Sequence, residues 1–123
     1  MANDDEAHVI RMLKRFGGKT KYSKPDIAYK VAAFWNDRNT KDVMNGMNVQ
    51  QFLDWAEAQD PVVEMSGSII MPARVSIMLR GMGNAFGLDM RMSKWWEPMA
   101  RQVLKENGIA YAPKKSRAED WDK

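Results

Sequence analysis

The chain has 123 residues, of which 45% are hydrophobic and 28% charged, and it contains no cysteine. This length and composition indicate at most one globular domain and argue against a disordered chain. The absence of cysteine excludes disulfides, thiolate metal sites and thiol nucleophiles. The formal net charge of +3 is only weakly basic, so it does not by itself indicate a nucleic-acid binder.

No segment of the sequence predicts membrane insertion or targeting. No apolar run approaches the roughly 20 residues that span a bilayer. Residues 1–6 are mostly polar and acidic and lack a hydrophobic segment, so they predict neither a signal peptide nor a transit peptide.

Two amphipathic helices are predicted in the first third of the chain. The first covers residues 4–16, with acidic residues in its first turn and Gly17-Gly18 after its last turn. The second covers residues 25–36, because Pro25 suits a first helical turn and a wide apolar face follows it. The polar segment 37–47 is predicted to be a loop.

A third helix is predicted over residues 48–60. Asn48 and Gln51 resemble a capping box, in which each side chain bonds the backbone N–H of the other residue. Pro61 disfavours a helical conformation for the residue before it and therefore ends the helix. The next segment, residues 62–70, is predicted to be an extended linker.

The fourth predicted helix, residues 72–86, is apolar around most of its circumference, which predicts burial on several sides. Arg74 and Arg80 are its charged residues. Because arginine is rarely buried without a partner, we hypothesise that one or both pair with carboxylates, in this chain or in a missing part of the protein. The alternative is that both are boundary residues whose stems cover apolar surface.

The fifth predicted helix covers residues 93–107, and Pro98 is expected either to kink it or to mark its start. The sequence has no internal repeat and no strand with clean alternation. It therefore predicts an all-α fold of about five helices over residues 1–108. The charged segment 109–123 is predicted to be a disordered polar tail.

No pattern predicts a catalytic or metal site. The Gly-Lys-Thr stretch at residues 18–20 resembles the end of a phosphate-binding loop, but Leu13 stands where that loop needs a glycine. His8 is the only histidine, which excludes a site built on several histidines. Neighbouring acidic residues, as at Asp54 and Glu57, are interpreted as solvated helix faces.

The strongest run of positive charge lies within residues 11–24. We interpret it as a solvated face, with an anionic membrane surface or an acidic partner as the alternatives. Aromatic side chains that would stack on nucleic-acid bases are few in this run, so no nucleic-acid partner is expected.

From about residue 4 to residue 104 the chain resembles the C-terminal helical region of the AarF/UbiB family of atypical kinases, also called the ADCK family. Each similar stretch is short, and their order and separations match the family. They are residues 17–20 (Gly-Gly-Lys-Thr), 48–53 (Asn-Val-Gln-Gln-Phe-Leu), 60–64 (Asp-Pro-Val-Val-Glu), 71–83 and 96–101 (Trp-Glu-Pro-Met-Ala-Arg).

The resemblance implies helices that close the base of the large lobe of a protein-kinase-like fold. The family's Lys-x-Gly-Gln motif, Ala-rich nucleotide loop, catalytic Asp loop and Asp-Phe-Gly motif are absent from this sequence. No catalytic, cofactor-binding or metal-binding residue is therefore predicted here. ATP and Mg²⁺ are implied for the full-length family member, together with a role in ubiquinone or other isoprenoid-lipid metabolism.

We therefore expect a partial AarF/UbiB-type protein that is catalytically inert as this fragment. The alternatives are a standalone helical interaction module and, less in keeping with the sequence, a small basic nucleic-acid binder. Eleven methionines and five tryptophans indicate a core or an interface, either with the missing N-terminal kinase portion or with a protein partner. The resemblance also implies membrane-lipid proximity of the parent, in a mitochondrion or plastid if the parent is eukaryotic, and a cytoplasmic or membrane-associated location if it is bacterial.

Overall fold

A computed structural model describes residues 1–88 and 91–122, and within them the all-α prediction of about five helices is confirmed. Two very short strands form a small sheet beside the helices. Among the described residues, no helix has the length and apolar character needed to cross a membrane. The elements in chain order are α1 (Glu6–Arg15), β1 (Lys19–Thr20), α2 (Pro25–Asn36), α3 (Lys41–Met44), α4 (Val49–Gln59), β2 (Val62–Glu64), α5 (Gly67–Ala85), α6 (Met92–Glu106) and a C-terminal 3-10 turn (Ala118–Asp120).

Two helix starts that local signals predicted are in place. α2 begins at Pro25, and the capping box at the start of α4 is complete. The Gln51 backbone N–H donates to the Asn48 side chain at 2.8 Å, and the Asn48 N–H donates to the Gln51 side chain at 3.1 Å. These boundaries follow from residues within one helical turn of each other, so the sequence pattern is sufficient to place them.

Two predicted non-helical segments are partly helical. The loop over residues 37–47 contains the single turn α3, and the linker over residues 62–70 contains both β2 and the first turn of α5. α5 begins before Pro72 because the Ser66 side chain caps it by accepting from the Ser68 N–H. Pro72 then lies inside the helix, where it removes one backbone hydrogen bond.

β1 and β2 pair antiparallel, with Lys19 opposite Glu64. Asp60 holds the chain beside this sheet, because its carboxylate accepts from the Thr20 hydroxyl at 2.6 Å, the Tyr22 N–H at 2.6 Å and the Lys24 N–H at 2.8 Å. Burial alone would raise the pKa of Asp60, but these hydrogen bonds outweigh it and lower the pKa. Strands of two and three residues are too short to show alternation, so the sequence pattern could not reveal them.

The core lies between α1, α2, α3 and α4. Phe52 of α4 is fully buried, and its ring lies 5.0 Å from the Phe34 ring and 5.9 Å from the Trp55 ring. The buried members of the cluster are Ile10, Tyr29, Ala33, Phe34, Val43, Met44, Phe52 and Ala118.

The last member of that cluster differs from the prediction of a disordered tail over residues 109–123. Ala118 is 1% exposed and lies in the core, and the 3-10 turn packs on α1 and α2. We call residues 116–121 the C-terminal strap. Its anchors are far away in sequence, so the charged composition of the tail concealed them. Lys123, the last residue of the predicted tail, lies outside the described residues.

Candidate interaction surface

α5 packs on α2 through a narrow face. The buried residues of α5 are small or polar, namely Ala73, Ser76, Arg80 and Gly83, and they recur at spacings of three or four. That spacing places them on one side of the helix. The prediction that this helix is buried on several sides is therefore wrong: one side of α5 is buried and its large apolar side chains lie elsewhere.

The opposite side of α5 exposes large apolar side chains. Met78 is 67% exposed and Phe86 is 80% exposed. Neighbouring members are three or four residues apart and none is charged, which is the spacing of a seam that a second helix covers. We call this set the α5 face: Met71, Val75, Met78, Met82 and Phe86.

α6 also exposes its apolar stripe. Met92 is its one buried residue, and it lies in the first turn. Trp95, Met99 and Val103 are 70%, 74% and 49% exposed and follow one another at spacings of four, so they share one side of the helix. We call these three residues the α6 face. Lys94 and Arg101 lie on the other side of α6, which makes the helix amphipathic.

The α5 face and the α6 face expose a large apolar area. An aromatic side chain has 150–250 Å² of surface, so Phe86 on the α5 face and Trp95 on the α6 face each expose roughly 150 Å². The methionines and valines of the two faces add to this. Apolar patches of more than a few hundred Å² mark sites where a protein binds a partner.

The reason for this orientation of α5 lies in Arg80, which is 4% exposed. Its guanidinium donates to the backbone oxygens of Phe34 and Trp35, the latter at 3.2 Å, at the C-terminal end of α2. These carbonyls have no partner within α2, and a cation there also complements the helix dipole. Burying Arg80 at this position turns the apolar side of α5 outward.

Arg80 therefore bonds backbone oxygens and does not pair with a carboxylate among the described residues. A carboxylate partner in a missing part of the protein stays a prediction. Burial lowers its pKa, and the nearby charge of Asp37 counteracts part of that effect. Arg74 is exposed, as the boundary-residue alternative predicts. Small residues also stand at exposed positions of α5, such as Gly81 and Ala85, so the sequence did not mark the buried side.

Asp37 fixes the start of α6. Its buried carboxylate accepts from the Ser93 N–H at 2.9 Å, from Arg38 at 2.7 Å and from Arg91 at 3.2 Å. Its backbone oxygen accepts from the Met92 N–H at 3.1 Å. Burial alone would raise the pKa of Asp37, but the hydrogen bonds and the positive charge of Arg91 lower it. No sequence pattern indicated this role of Asp37, because Arg91 and Ser93 lie 54 and 56 residues away in the chain.

The other residues considered from the sequence do not converge on a catalytic site. Lys19 pairs with Glu64 at 3.3 Å, and Thr20 donates to Asp60. The His8 ring packs 4.9 Å from the Tyr111 ring, and burial lowers the pKa of His8. Among the described residues, no group of three or more metal-ligating side chains is assembled.

A groove of about 560 Å³ lies beside α5, between α2, α4 and β2. Apolar side chains such as Val31, Trp35 and Leu53 line most of it, and charged residues, among them Glu57 and Arg74, lie at its rim. It is an apolar cleft of ordinary ligand-pocket size.

No protein-family model, no curated protein and no solved structure matches this chain. Two features of the chain bear on its function, namely the sequence resemblance and the exposed faces of α5 and α6.

Proposed function

We propose that this chain is the C-terminal helical subdomain of an AarF/UbiB-type, kinase-like protein, and that it docks on the rest of that protein through the α5 and α6 faces. The observation that carries the proposal is the exposure of eight large apolar side chains in the α5 face and the α6 face. A surface of this kind needs an apolar partner surface. Catalysis, with ATP and Mg²⁺, would belong to the remainder of the protein, and its role would lie in isoprenoid-quinone or lipid homeostasis.

Burial of the α5 face would stabilise a docked arrangement. Full burial of one large apolar side chain stabilises a contact by about 1.5–3 kcal/mol. The α5 face alone has five such side chains. Even after the loss of translational and rotational freedom on association, their burial would hold a tethered lobe in place.

The first test is the size of the endogenous protein, measured by immunoblot or intact mass with an antibody to this region. A species much larger than 14.1 kDa supports the proposal. A photo-crosslinking residue placed at position 78 of that larger protein should then react with its kinase-like portion. The matched control is position 50, since Gln50 is exposed on α4, outside the two faces. Equal crosslinking from both positions would contradict docking through the α5 face.

The second candidate function is a standalone helical interaction module without enzymatic activity. The return of the strap to the core favours it, because Ala118 completes the cluster around Ile10 and Tyr29 within this chain alone. An endogenous species near 14.1 kDa would support this function. The isolated chain should then unfold in a single transition, with circular dichroism and tryptophan fluorescence changing together.

A further inference from the structure

Ser116 fastens the C-terminal strap to the beginning of α1. Its hydroxyl donates to the Asp5 carboxylate and accepts from the Ala7 N–H at 3.0 Å. Its backbone N–H donates to the Asp4 oxygen at 3.2 Å, and its backbone oxygen accepts from the Glu6 N–H at 3.4 Å. The backbone and side chain of one residue thus hold the strap at its first position.

The rest of the strap depends on that attachment. The Ala118 N–H donates to the Glu6 carboxylate at 3.0 Å, and Arg11 donates to the Trp121 oxygen at 3.2 Å. The Lys14 ammonium lies 4.4 Å from the centroid of the Trp121 ring. All of these contacts are with α1.

Charged residues stand on both sides of Ser116. Lys114 and Lys115 precede it, Arg117 follows it, and Glu119 stands three positions after it. Serine/threonine protein kinases select their substrates by the charge pattern around the acceptor. The flanking lysines and Arg117 are exposed, so an enzyme can reach this segment when the strap opens.

We propose that Ser116 is a phosphorylation site and that its modification releases the strap from α1. A protein kinase would transfer the γ-phosphoryl group of a nucleoside triphosphate to the Ser116 Oγ. The Oγ–H bond breaks, its proton passes to the base of that kinase, the Oγ–P bond forms, and the nucleoside diphosphate leaves. The product carries a charge of about −1.5 to −2 at pH 7.

The release follows from the surroundings of Asp5, which is 1% exposed. Its carboxylate accepts from the hydroxyls of Ser116 and Tyr111 and from the His8 N–H. Phosphorylation removes the proton that Ser116 donates and places a second anion against this buried carboxylate. Like charges repel strongly where water is excluded. The positive end of α1 gives little compensation, because Asp5 and Glu6 already occupy it.

The consequence is an opened cleft between α1 and α2. Loss of the strap takes Ala118 out of the core and uncovers the Ile10 and Tyr29 side chains that it covers. Phosphorylation would therefore expose apolar side chains that the strap covers in the unphosphorylated chain. This inference does not depend on the docking of the α5 and α6 faces.

The test uses the full chain and the purified catalytic subunit of a kinase that prefers basic substrates. Phosphoryl incorporation at Ser116 is mapped by mass spectrometry, and hydrogen exchange is compared with and without ATP. We expect exchange of the Ala7 and Ala118 amides to accelerate at least tenfold after phosphorylation. An unmodified Ser116 after incubation with this kinase and with one that prefers acidic substrates would overturn the proposal. Unchanged exchange in the phosphorylated chain would overturn it as well.

The matched variant is Asp5→Asn, which keeps the shape of the side chain and removes the charge that repels the phosphate. Phosphorylation of this variant should accelerate exchange of the Ala118 amide less than threefold. An acceleration equal to the one that phosphorylation causes in the natural chain would show that repulsion by Asp5 is not the cause. If Asp5→Asn does not fold, the comparison of the phosphorylated and unphosphorylated natural chain still decides whether the strap is released.

Discussion

α4 and α5 both present large apolar side chains, but the two helices use them in opposite ways. α4 places Phe52 at the centre of the core, with no exposed surface, whereas α5 leaves Phe86 80% exposed and buries Arg80. The difference arises from what the neighbouring helix needs at each contact. α2 offers the ring of Phe34 to α4, and it offers unpaired carbonyl oxygens to α5. At these two contacts, a phenylalanine is buried where α2 presents an apolar ring, and an arginine is buried where α2 presents carbonyl oxygens.

The largest expected effect on stability is at the buried ring of Phe52 in α4. Phe52→Ala removes a fully buried ring and should lower the free energy of unfolding by about 3–5 kcal/mol. Urea denaturation followed by tryptophan fluorescence measures it. The matched control is Phe86→Ala, for which a change within about 0.5 kcal/mol is expected. Equal losses of unfolding free energy for the two variants would contradict the difference between a buried Phe52 and an exposed Phe86.

The next largest effect on stability is expected at Asp37, which fixes the start of α6. Asp37→Asn leaves Arg38 and Arg91 beside a neutral group at a buried position, and removal of one partner of a buried pair destabilises by about 3–5 kcal/mol. Hydrogen exchange at the Ser93 amide should rise together with the loss of stability. Asp54→Asn is the control, because Asp54 is exposed. An unchanged Ser93 amide would show that α6 does not depend on Asp37.

The free energy of unfolding should fall over a defined range of acidic pH. The folded-state pKa values of Asp5, Asp37 and Asp60 all lie below the ordinary value of 3.8. Their contribution to stability is therefore complete above about pH 5 and is lost as the pH falls through the folded-state pKa values. Urea denaturation at a series of pH values should show this decline. A stability that rises between pH 5 and pH 3 would contradict the pairing of these carboxylates.

A smaller effect is expected at the start of α4. Asn48→Ala removes the side chain that caps the helix and should lower the free energy of unfolding by about 1 kcal/mol. Thermal unfolding followed by circular dichroism measures the change. Asn48→Asp is the control, since aspartate caps a helix equally well. A loss for the aspartate variant as large as that for alanine would exclude capping as the cause.

The smallest effect on stability is expected on the α5 face. Met78→Gln changes an exposed residue and should alter the free energy of unfolding by less than about 0.5 kcal/mol. It should nevertheless lower the binding of a hydrophobic dye such as ANS, because it interrupts the middle of the α5 face. A large loss of stability would show that Met78 is covered within the folded chain.

The elements that depend on neighbouring residues were predictable from the sequence. The start of α2 at Pro25 and the capping box of Asn48 and Gln51 were both predicted and are both confirmed. The two-stranded sheet, the strap and the buried side of α5 were not predicted. Each of these depends on partners distant in the chain, such as Ser116 with Asp5 and Arg80 with Phe34.

The sequence by itself determined that the chain is helical, where most of its helices begin and end, and that it has no cysteine or histidine-rich site. Only the tertiary structure decided which side of α5 is buried, because a helix that is apolar around most of its circumference gives no unique inward direction. The carbonyl oxygens at the C-terminal end of α2 accept hydrogen bonds from Arg80, and this contact determines which side of α5 faces inward. The same contact leaves the α5 face open, and the proposed docking role rests on that face.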